Sequence, residues 1–76
     1  MPESPGAGVG RAVRRLRERQ GMSGKALALA AGVAQSYVSD LEAGKVVSPG
    51  LVALHAMAGA LGVTVVELLR EAEADE

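Results

Sequence analysis

The stretch from Gly32 to Gly44 constrains the fold most, because it reads as a turn, a short amphipathic helix and a glycine stop. Val38 and Leu41 are three residues apart and therefore share one face of that helix. The opposite face carries mostly small polar groups and consists of Gln35, Ser36, Ser39, Asp40 and Ala43. A helix of about nine residues is roughly 13 Å long and is short enough to enter the major groove of DNA end-on. An ordinary solvent-exposed helix face is the alternative interpretation of the same pattern.

The amino-acid composition restricts the core to small and aliphatic side chains. Tyr37 is the sole aromatic residue among 76, so Leu, Val, Met and Ala must build any core. These side chains favour close-packed helices over a sheet, and long alternating runs of β-branched residues are few. A chain of this length is one small domain, near the lower size at which a core is stable without disulfides or metals. The sequence therefore predicts an all-α fold.

The chain contains no cysteine and no long apolar run. Disulfides and thiolate metal sites are therefore excluded, and a cytoplasmic location is the natural expectation. A membrane-spanning helix needs about 20 apolar residues. Because the N-terminus also lacks the pattern of a signal peptide, we expect no membrane association.

The net charge of −1 hides an uneven distribution along the chain. Residues 1–46 carry seven basic residues against four acidic ones, whereas residues 47–76 carry one against five. A basic first half and an acidic tail are typical of a chain that faces nucleic acid at one end and solvent or a partner at the other. The signal is modest, because a pI near 5.8 is low for a DNA-binding domain.

The N-terminal region divides into an arm and a basic helix. Residues 1–8 are rich in Pro and Gly and predict a disordered arm, without the Lys or Arg that would suit the minor groove. Val9, Val13 and Leu16 recur at helical spacing and predict a first helix over residues 9–20. The other faces of this helix carry an arginine run that is either a phosphate-binding patch or a solvated face: Arg11, Arg14, Arg15, Arg17 and Arg19.

Two further helices are joined by a tight turn. Ser23 is a favourable N-cap for a second helix over residues 24–31, which Gly32 ends. The third helix spans residues 35–43. Helix, turn and helix together form a helix-turn-helix.

A set of short motifs follows in order along most of the chain. They are Leu16-Arg17, Gly21-Met22-Ser23, Leu27-Ala28, Gly32-Val33, Tyr37-Val38-Ser39, Leu41-Glu42, Gly44, Pro49, Leu54, Met57-Ala58, Leu61-Gly62-Val63 and Glu67-Leu68-Leu69. In order and spacing this set resembles the Cro/Xre family of lambda-repressor-like helix-turn-helix DNA-binding proteins. Each motif alone is weak, but the ordered set is specific and covers about residues 9–69.

The resemblance implies a five-helix, lambda-repressor-like fold. Its fourth helix spans residues 49–61, with Ser48-Pro49 supplying the N-cap and the first helical residue. Thr64 and Glu67 form a capping box that opens a fifth helix over residues 65–72.

The helix-turn-helix domain is expected to cover residues 9–70, followed by an acidic tail, residues 71–76, that frays. The fourth helix is expected to place its larger apolar residues on one inward side: Leu51, Leu54, Met57, Ala58 and Leu61. Helix 5 is expected to bury Leu68.

In this family the third helix inserts its N-terminal residues into the major groove, which implies a role for each matching position. The residues implied to contact bases are Gln35, Ser36, Ser39 and Asp40. A glutamine suits adenine, because its amide pairs with N6 and N7 at a gain of about 1–3 kcal/mol in discrimination. The residues implied to contact phosphates are Ser23, Gly24, Lys25, Tyr37, Lys45 and, from the arginine run, Arg14.

Three residues depart from the family pattern. Gly24 stands where a bracing glutamine is usual, and Asp40 stands where many relatives have a basic residue or glutamine. Ala34 replaces the usual Ser or Thr cap of the third helix, which costs roughly 1 kcal/mol of helix stability. These departures leave the fold prediction unchanged and weaken the expectation of tight DNA binding.

Other polar residues have structural interpretations. The resemblance implies that Arg17 and Glu42 form a partly buried salt bridge between helix 1 and the end of helix 3. His55 is a lone histidine without a nearby partner, which is typical of a surface residue. The sequence shows no nucleophile and base pair, no metal-ligand set and no nucleotide-binding glycine motif, so we expect no enzyme activity, metal, cofactor or small-molecule substrate.

These observations favour a DNA-binding transcriptional regulator, a repressor that reads a palindromic operator as a homodimer. Helix 5 is the expected dimer surface, because one small monomer cannot bury all of Val65, Val66 and Leu69. The alternative is a helix-turn-helix used as a protein-interaction module, or an antitoxin-like partner whose acidic tail binds a basic protein.

Overall fold

The computed structural model describes residues 5–74, and within that range the chain forms five helices and no strand. The helices are α1 (Pro5–Arg19), α2 (Gly24–Ala31), α3 (Gln35–Glu42), α4 (Leu51–Leu61) and α5 (Val65–Glu73). The predicted all-α fold is therefore confirmed. The bounds predicted for the second helix agree with the structure, and those of the third and fifth differ from it by one residue at the C-terminal end.

Apolar side chains from all five helices form the core. α1 contacts three other helices, α3, α4 and α5, while α2 packs on α3 and α4. Val13, Leu27, Met57 and Leu68 come from four different helices, and each is completely buried. Burial of such a side chain contributes about 1.5–3 kcal/mol. These contacts fix α2 and α3 relative to α1.

The first helix begins earlier than the sequence predicts. α1 starts at Pro5 rather than Val9, so the prediction of a disordered arm is wrong for residues 5–8, and the rest of that arm lies outside the described residues. The Gly6 amide donates a 2.9 Å hydrogen bond to the Val47 carbonyl. A Cβ atom on Gly6 would overlap the Val46 carbonyl oxygen, so glycine here permits close packing rather than disorder.

The fourth helix begins later than predicted. α4 starts at Leu51 with Gly50 as its N-cap and no side-chain cap, so the predicted start at Ser48-Pro49 is wrong. The preceding loop is held along α1 by the Val47 carbonyl. Gly50 adopts the extended backbone that is typical of an N-cap residue. As the first helical residue, Leu51 is 65% exposed, which contradicts its predicted inward position.

α5 contains the predicted capping box. Thr64 Oγ1 accepts a 3.0 Å hydrogen bond from the Glu67 amide, and Glu67 Oε1 accepts one of 3.0 Å from the Thr64 amide. Leu68 is buried, as predicted. The predicted fraying from residue 71 is wrong, because α5 continues to Glu73 and the Glu71 side chain contacts arginines of α1. The last two residues of the chain lie outside the described range.

The capping box makes helix α5 sensitive to acid. Hydrogen bonding to the Thr64 backbone amide, and then to the Thr64 side chain, lowers the pKa of Glu67, so the carboxylate stabilises the folded state above its ordinary pKa of 4.5. That contribution is lost as the pH falls through the lowered pKa. We expect the difference in unfolding free energy between the wild type and Glu67→Gln to decrease as the pH falls below about 5. Urea unfolding at each pH measures this difference. Parallel pH curves for the two proteins would contradict the prediction.

Among the described residues no single helix is long and apolar enough to cross a membrane. Taken together, α4 and α5 have the length and composition of a membrane-spanning segment, but the two helices are bent by 94° relative to each other. Met57, Ala58 and Leu61 of α4 are buried in the core of the domain.

Candidate nucleic-acid interface

The turn between α2 and α3 has the geometry that the sequence predicts. Ser23 Oγ accepts a hydrogen bond from the Ala26 amide at 3.0 Å and so caps α2. Gly32 ends α2 in the left-handed region, with φ of 70°, a conformation that side chains disfavour. The Val33 amide then donates to the Ala28 carbonyl at 3.0 Å. The chain leaves this turn directly into α3, which completes the helix-turn-helix.

α3 divides into a buried face and an exposed face. Val38 and Leu41 are 2% and 1% exposed, as the amphipathic pattern predicts. The side chains predicted to contact bases are all exposed and follow one another on the other face: Gln35, Ser36, Ser39 and Asp40. This surface offers amide, hydroxyl and carboxylate groups for hydrogen bonds with the edges of base pairs.

The first turn of α3 lacks a side-chain cap. Ala34 is the N-cap residue and makes no capping hydrogen bond through its side chain, in agreement with the prediction from its type. The positive end of the α3 dipole therefore lies beside Gln35 and Ser36 without a compensating side-chain acceptor from Ala34. An anion or a base acceptor is favoured at such a helix end.

The residues predicted to contact phosphates occupy different environments. Ser23 and Lys25 lie exposed at the start of α2, beside the half-buried Gly24. Lys45 is exposed just after α3, and its amide donates to the Asp40 carbonyl at 2.9 Å. Tyr37 is half-buried and packs against the core.

Arg14 lies on α1, outside the helix-turn-helix itself. Its side chain is 60% exposed, and its Nε atom is 3.4 Å from Glu18 Oε2. An exposed pair of this kind, four residues apart, contributes only about 0.3–0.5 kcal/mol. The guanidinium can therefore exchange this partner for a phosphate at small cost.

Arg17 and Glu42 form the predicted ion pair between α1 and the end of α3. Arg17 Nε and Nη2 donate to the two carboxylate oxygens of Glu42 at 2.8 and 2.9 Å, and Nη1 donates to the Met22 carbonyl at 2.8 Å. The two side chains are only 15% and 12% exposed. The hydrogen bonds that Arg17 donates to the Glu42 carboxylate raise the pKa of Arg17, although partial burial opposes this shift. This pair connects α1 and the loop before α2 to the C-terminal end of α3.

Two polar contacts were not predicted from the sequence. Gln20 Nε2 donates to the Leu61 carbonyl at 2.7 Å, at the C-terminal end of α4. Glu71 of α5 meets Arg15 and Arg19 of α1, and these three residues are called the Glu71 cluster below. Arg15 and Arg19 are four residues apart and so share a helix face, but the sequence gives no sign of a partner on a distant helix.

Comparison with known proteins identifies the family. Residues 13–68 match the model of a helix-turn-helix family. The chain belongs to the Cro/Xre-like helix-turn-helix family. The match covers α2, α3 and α4 completely, together with the parts of α1 and α5 that carry Val13 and Leu68.

Individual members of the helix-turn-helix family are similar over most of this chain. The HTH-type transcriptional regulator DdrOP3 from Deinococcus deserti is 39% identical over 61 residues, which cover 80% of this chain and 46% of DdrOP3. The chain thus spans about half the length of that curated relative.

Two solved structures show the same arrangement of helices. The clp gene regulator ClgR from C. glutamicum has a TM-score of 0.89 at 30% identity, covering 97% of this chain and 95% of that one. The biofilm master regulator SinR, solved in complex with DNA, has a TM-score of 0.76 at 34% identity, covering 80% of this chain and 97% of that one. These similarities confirm the lambda-repressor-like fold that the sequence predicts.

Proposed function

We propose that this helix-turn-helix protein is a DNA-binding transcriptional regulator that inserts α3 into the major groove. The exposed polar face of α3, with its uncapped first turn, is the observation that carries the proposal. The core holds this face outward through Val38 and Leu41, and the Arg17–Glu42 pair braces its far end. The similarity to a regulator solved in complex with DNA supports the same interpretation.

The side chains of α3 suit different base edges. Gln35 lies in the first turn and pairs with adenine N6 and N7, while Ser36 and Ser39 donate to or accept from either base type. Asp40 accepts a hydrogen bond from cytosine N4. Because its carboxylate repels nearby phosphates, Asp40 lowers affinity for duplexes that lack a cytosine at that position.

The surrounding groups bind the DNA backbone. Lys25 and Lys45 flank the exposed face of α3 from α2 and from the following loop, and Arg14 approaches from α1. The Ser23 hydroxyl, the Gly24 amide and the Tyr37 hydroxyl supply neutral donors. These contacts orient the domain on the duplex without reading sequence.

The protein acts as a homodimeric repressor on a palindromic operator, with α5 as the dimer surface. Val66 and Leu69 are 58% and 38% exposed, although both are large and apolar. Val65 packs in part against the core of its own domain, so it contributes less to the dimer than the other two residues. A two-fold dimer places its two recognition helices about 34 Å apart, one turn of DNA.

A selection of bound sequences from a random duplex pool tests this function. We expect an enriched motif with two related half-sites and no enrichment with the double variant Gln35→Ala/Ser36→Ala. Lys25→Ala is the matched control. It removes a proposed phosphate contact, so the selected motif should stay the same. The slope of log affinity against log salt concentration should fall by about one per domain.

The outcomes distinguish DNA recognition from protein interaction. No enriched motif with the wild-type chain, together with weak binding that disappears in salt, would refute sequence-specific recognition. That result would favour the interaction module, with the exposed apolar residues of α5 as its surface. An enriched motif that survives in the double variant would instead refute the assignment of Gln35 and Ser36.

A further inference from the structure

The Glu71 cluster attaches the last turns of α5 to α1. Arg19 Nη1 is 2.6 Å from Glu71 Oε1, and Arg15 Nη2 is 3.8 Å from Oε2. Arg15 Nη2 also donates a 2.7 Å hydrogen bond to the main-chain carbonyl of Glu71. The side chains of Glu71 and Arg15 are 16% and 31% exposed, so solvent screens their attraction less than at an open surface, whereas Arg19 is 63% exposed. The two guanidinium groups also complement the negative end of the α5 dipole.

The Glu71 cluster fixes a part of α5 that has few apolar anchors. Leu68 is fully buried and anchors the middle of the helix, whereas Leu69 is 38% exposed. Beyond these residues, Ala72 supplies a small, partly buried apolar contact. The direction of the second half of α5 therefore depends on the polar contacts of Glu71.

α1 connects the Glu71 cluster to the recognition surface. One flank of this 15-residue helix holds Glu71 through Arg15 and Arg19. Its other flank contacts the end of α3, where Gly10 lies against the Leu41 carbonyl and Arg17 pairs with the acidic residue that follows Leu41. α1 is therefore in contact with α5 on one flank and with α3 on the other.

We propose that Glu71 is a positioning residue that sets the angle between the dimer helix α5 and the recognition helix α3. This inference rests on the proposed function, because it concerns the geometry of a dimer on DNA. The two α3 helices must meet half-sites about 34 Å apart. A change in the angle of α5 is repeated in both protomers, so it alters the separation of the recognition helices while each α3 remains intact.

The experiment measures binding to duplexes whose two selected half-sites are separated by spacers that differ by one base pair, and to a duplex with one half-site. The variant is Glu71→Gln, which keeps the size of the side chain and removes its charge. The matched control is Glu73→Gln, which removes the same charge from an exposed position two residues away. Circular dichroism at the binding temperature verifies that each variant is folded.

We expect Glu71→Gln to bind about tenfold more weakly at the best spacing and to discriminate less among spacings, since coupled networks contribute effects of this size. Its affinity for a single half-site should equal that of the wild type, and Glu73→Gln should keep the wild-type preference. The inference is overturned if Glu71→Gln keeps the wild-type preference for spacing, or if its affinity falls equally on single and paired half-sites. If the wild-type chain selects no sequence at all, the proposed function itself fails and the inference fails with it.

Discussion

Glu42→Ala is expected to lower the free energy of unfolding by about 3 kcal/mol, because it leaves the Arg17 guanidinium partly buried without its carboxylate. Two hydrogen bonds of 2.8 and 2.9 Å disappear, and the remaining one, to the Met22 carbonyl, does not neutralise the charge. A small domain has about 5–15 kcal/mol of stability in total. Urea unfolding at pH 7, followed by circular dichroism, measures the loss.

The exposed pair of Arg14 and Glu18 provides the matched control. Glu18→Ala also removes a carboxylate that pairs with an arginine of α1, but at a site where the two side chains are 60% and 55% exposed. We expect a change of no more than about 0.5 kcal/mol. The double variant Arg17→Met/Glu42→Leu should recover most of the loss, because it leaves no unpaired charge. Equal effects of Glu42→Ala and Glu18→Ala would show that the pair at the end of α3 is not a bracing contact.

Gly10→Ala is expected to destabilise the protein by about 2 kcal/mol, even though alanine is the better helix former. Helix propensity alone would favour alanine by about 1 kcal/mol. A Cβ atom at this position would, however, overlap the Leu41 carbonyl oxygen and contact the Cα atom of Glu42 at 3.2 Å. These are backbone atoms, so α1 and α3 must move apart, and overpacking of this kind costs about 1–3 kcal/mol.

Gly59→Ala tests the same substitution where space is available. Gly59 lies within α4 and is exposed, and a Cβ atom there would have no neighbour within 4 Å. We expect this variant to be more stable than the wild type by about 0.5–1 kcal/mol in thermal unfolding. If Gly10→Ala is also stabilising, the close contact between α1 and α3 does not exist in solution.

The parts of the fold that the sequence predicts correctly depend on local signals. The Ser23 cap, the left-handed Gly32 and the capping box of Thr64 and Glu67 each involve residues within a few positions of one another. The buried and exposed faces of α3 follow from helical periodicity alone. Local chemistry is therefore sufficient for the helix-turn-helix and for the surface that it presents.

The errors concern contacts between residues far apart in the chain. Residues 5–8 have the composition of a disordered arm, because glycine and proline usually interrupt helices. The Val47 carbonyl that accepts the hydrogen bond from Gly6 is 41 positions away. The partners of Glu71, Arg15 and Arg19, lie near the other end of the chain, so the local sequence around Glu71 predicts only a fraying acidic tail. Leu51 is exposed although Met57, Ala58 and Leu61 of the same helix face are buried, because α4 begins at Leu51 and this residue lies at the helix end.

For the candidate site, the sequence predicts which side chains are exposed but not which bases they contact. Exposure of Gln35, Ser36, Ser39 and Asp40 follows from the period of α3, so geometry and prediction agree. Which base each side chain contacts depends also on the DNA and on how the DNA deforms on binding. The protein sequence alone does not encode these properties.

The position of α1 among the other helices has a consequence for protein synthesis. Within this domain α1 is synthesised before α5, yet the hydrogen bond from Arg15 to the Glu71 carbonyl joins residues 56 positions apart. Until α5 has emerged, α1 lacks Leu68 against its apolar side and Glu71 beside its arginines. We therefore expect this domain to remain accessible to proteases and chaperones until α5 has been synthesised, and to fold cooperatively only then.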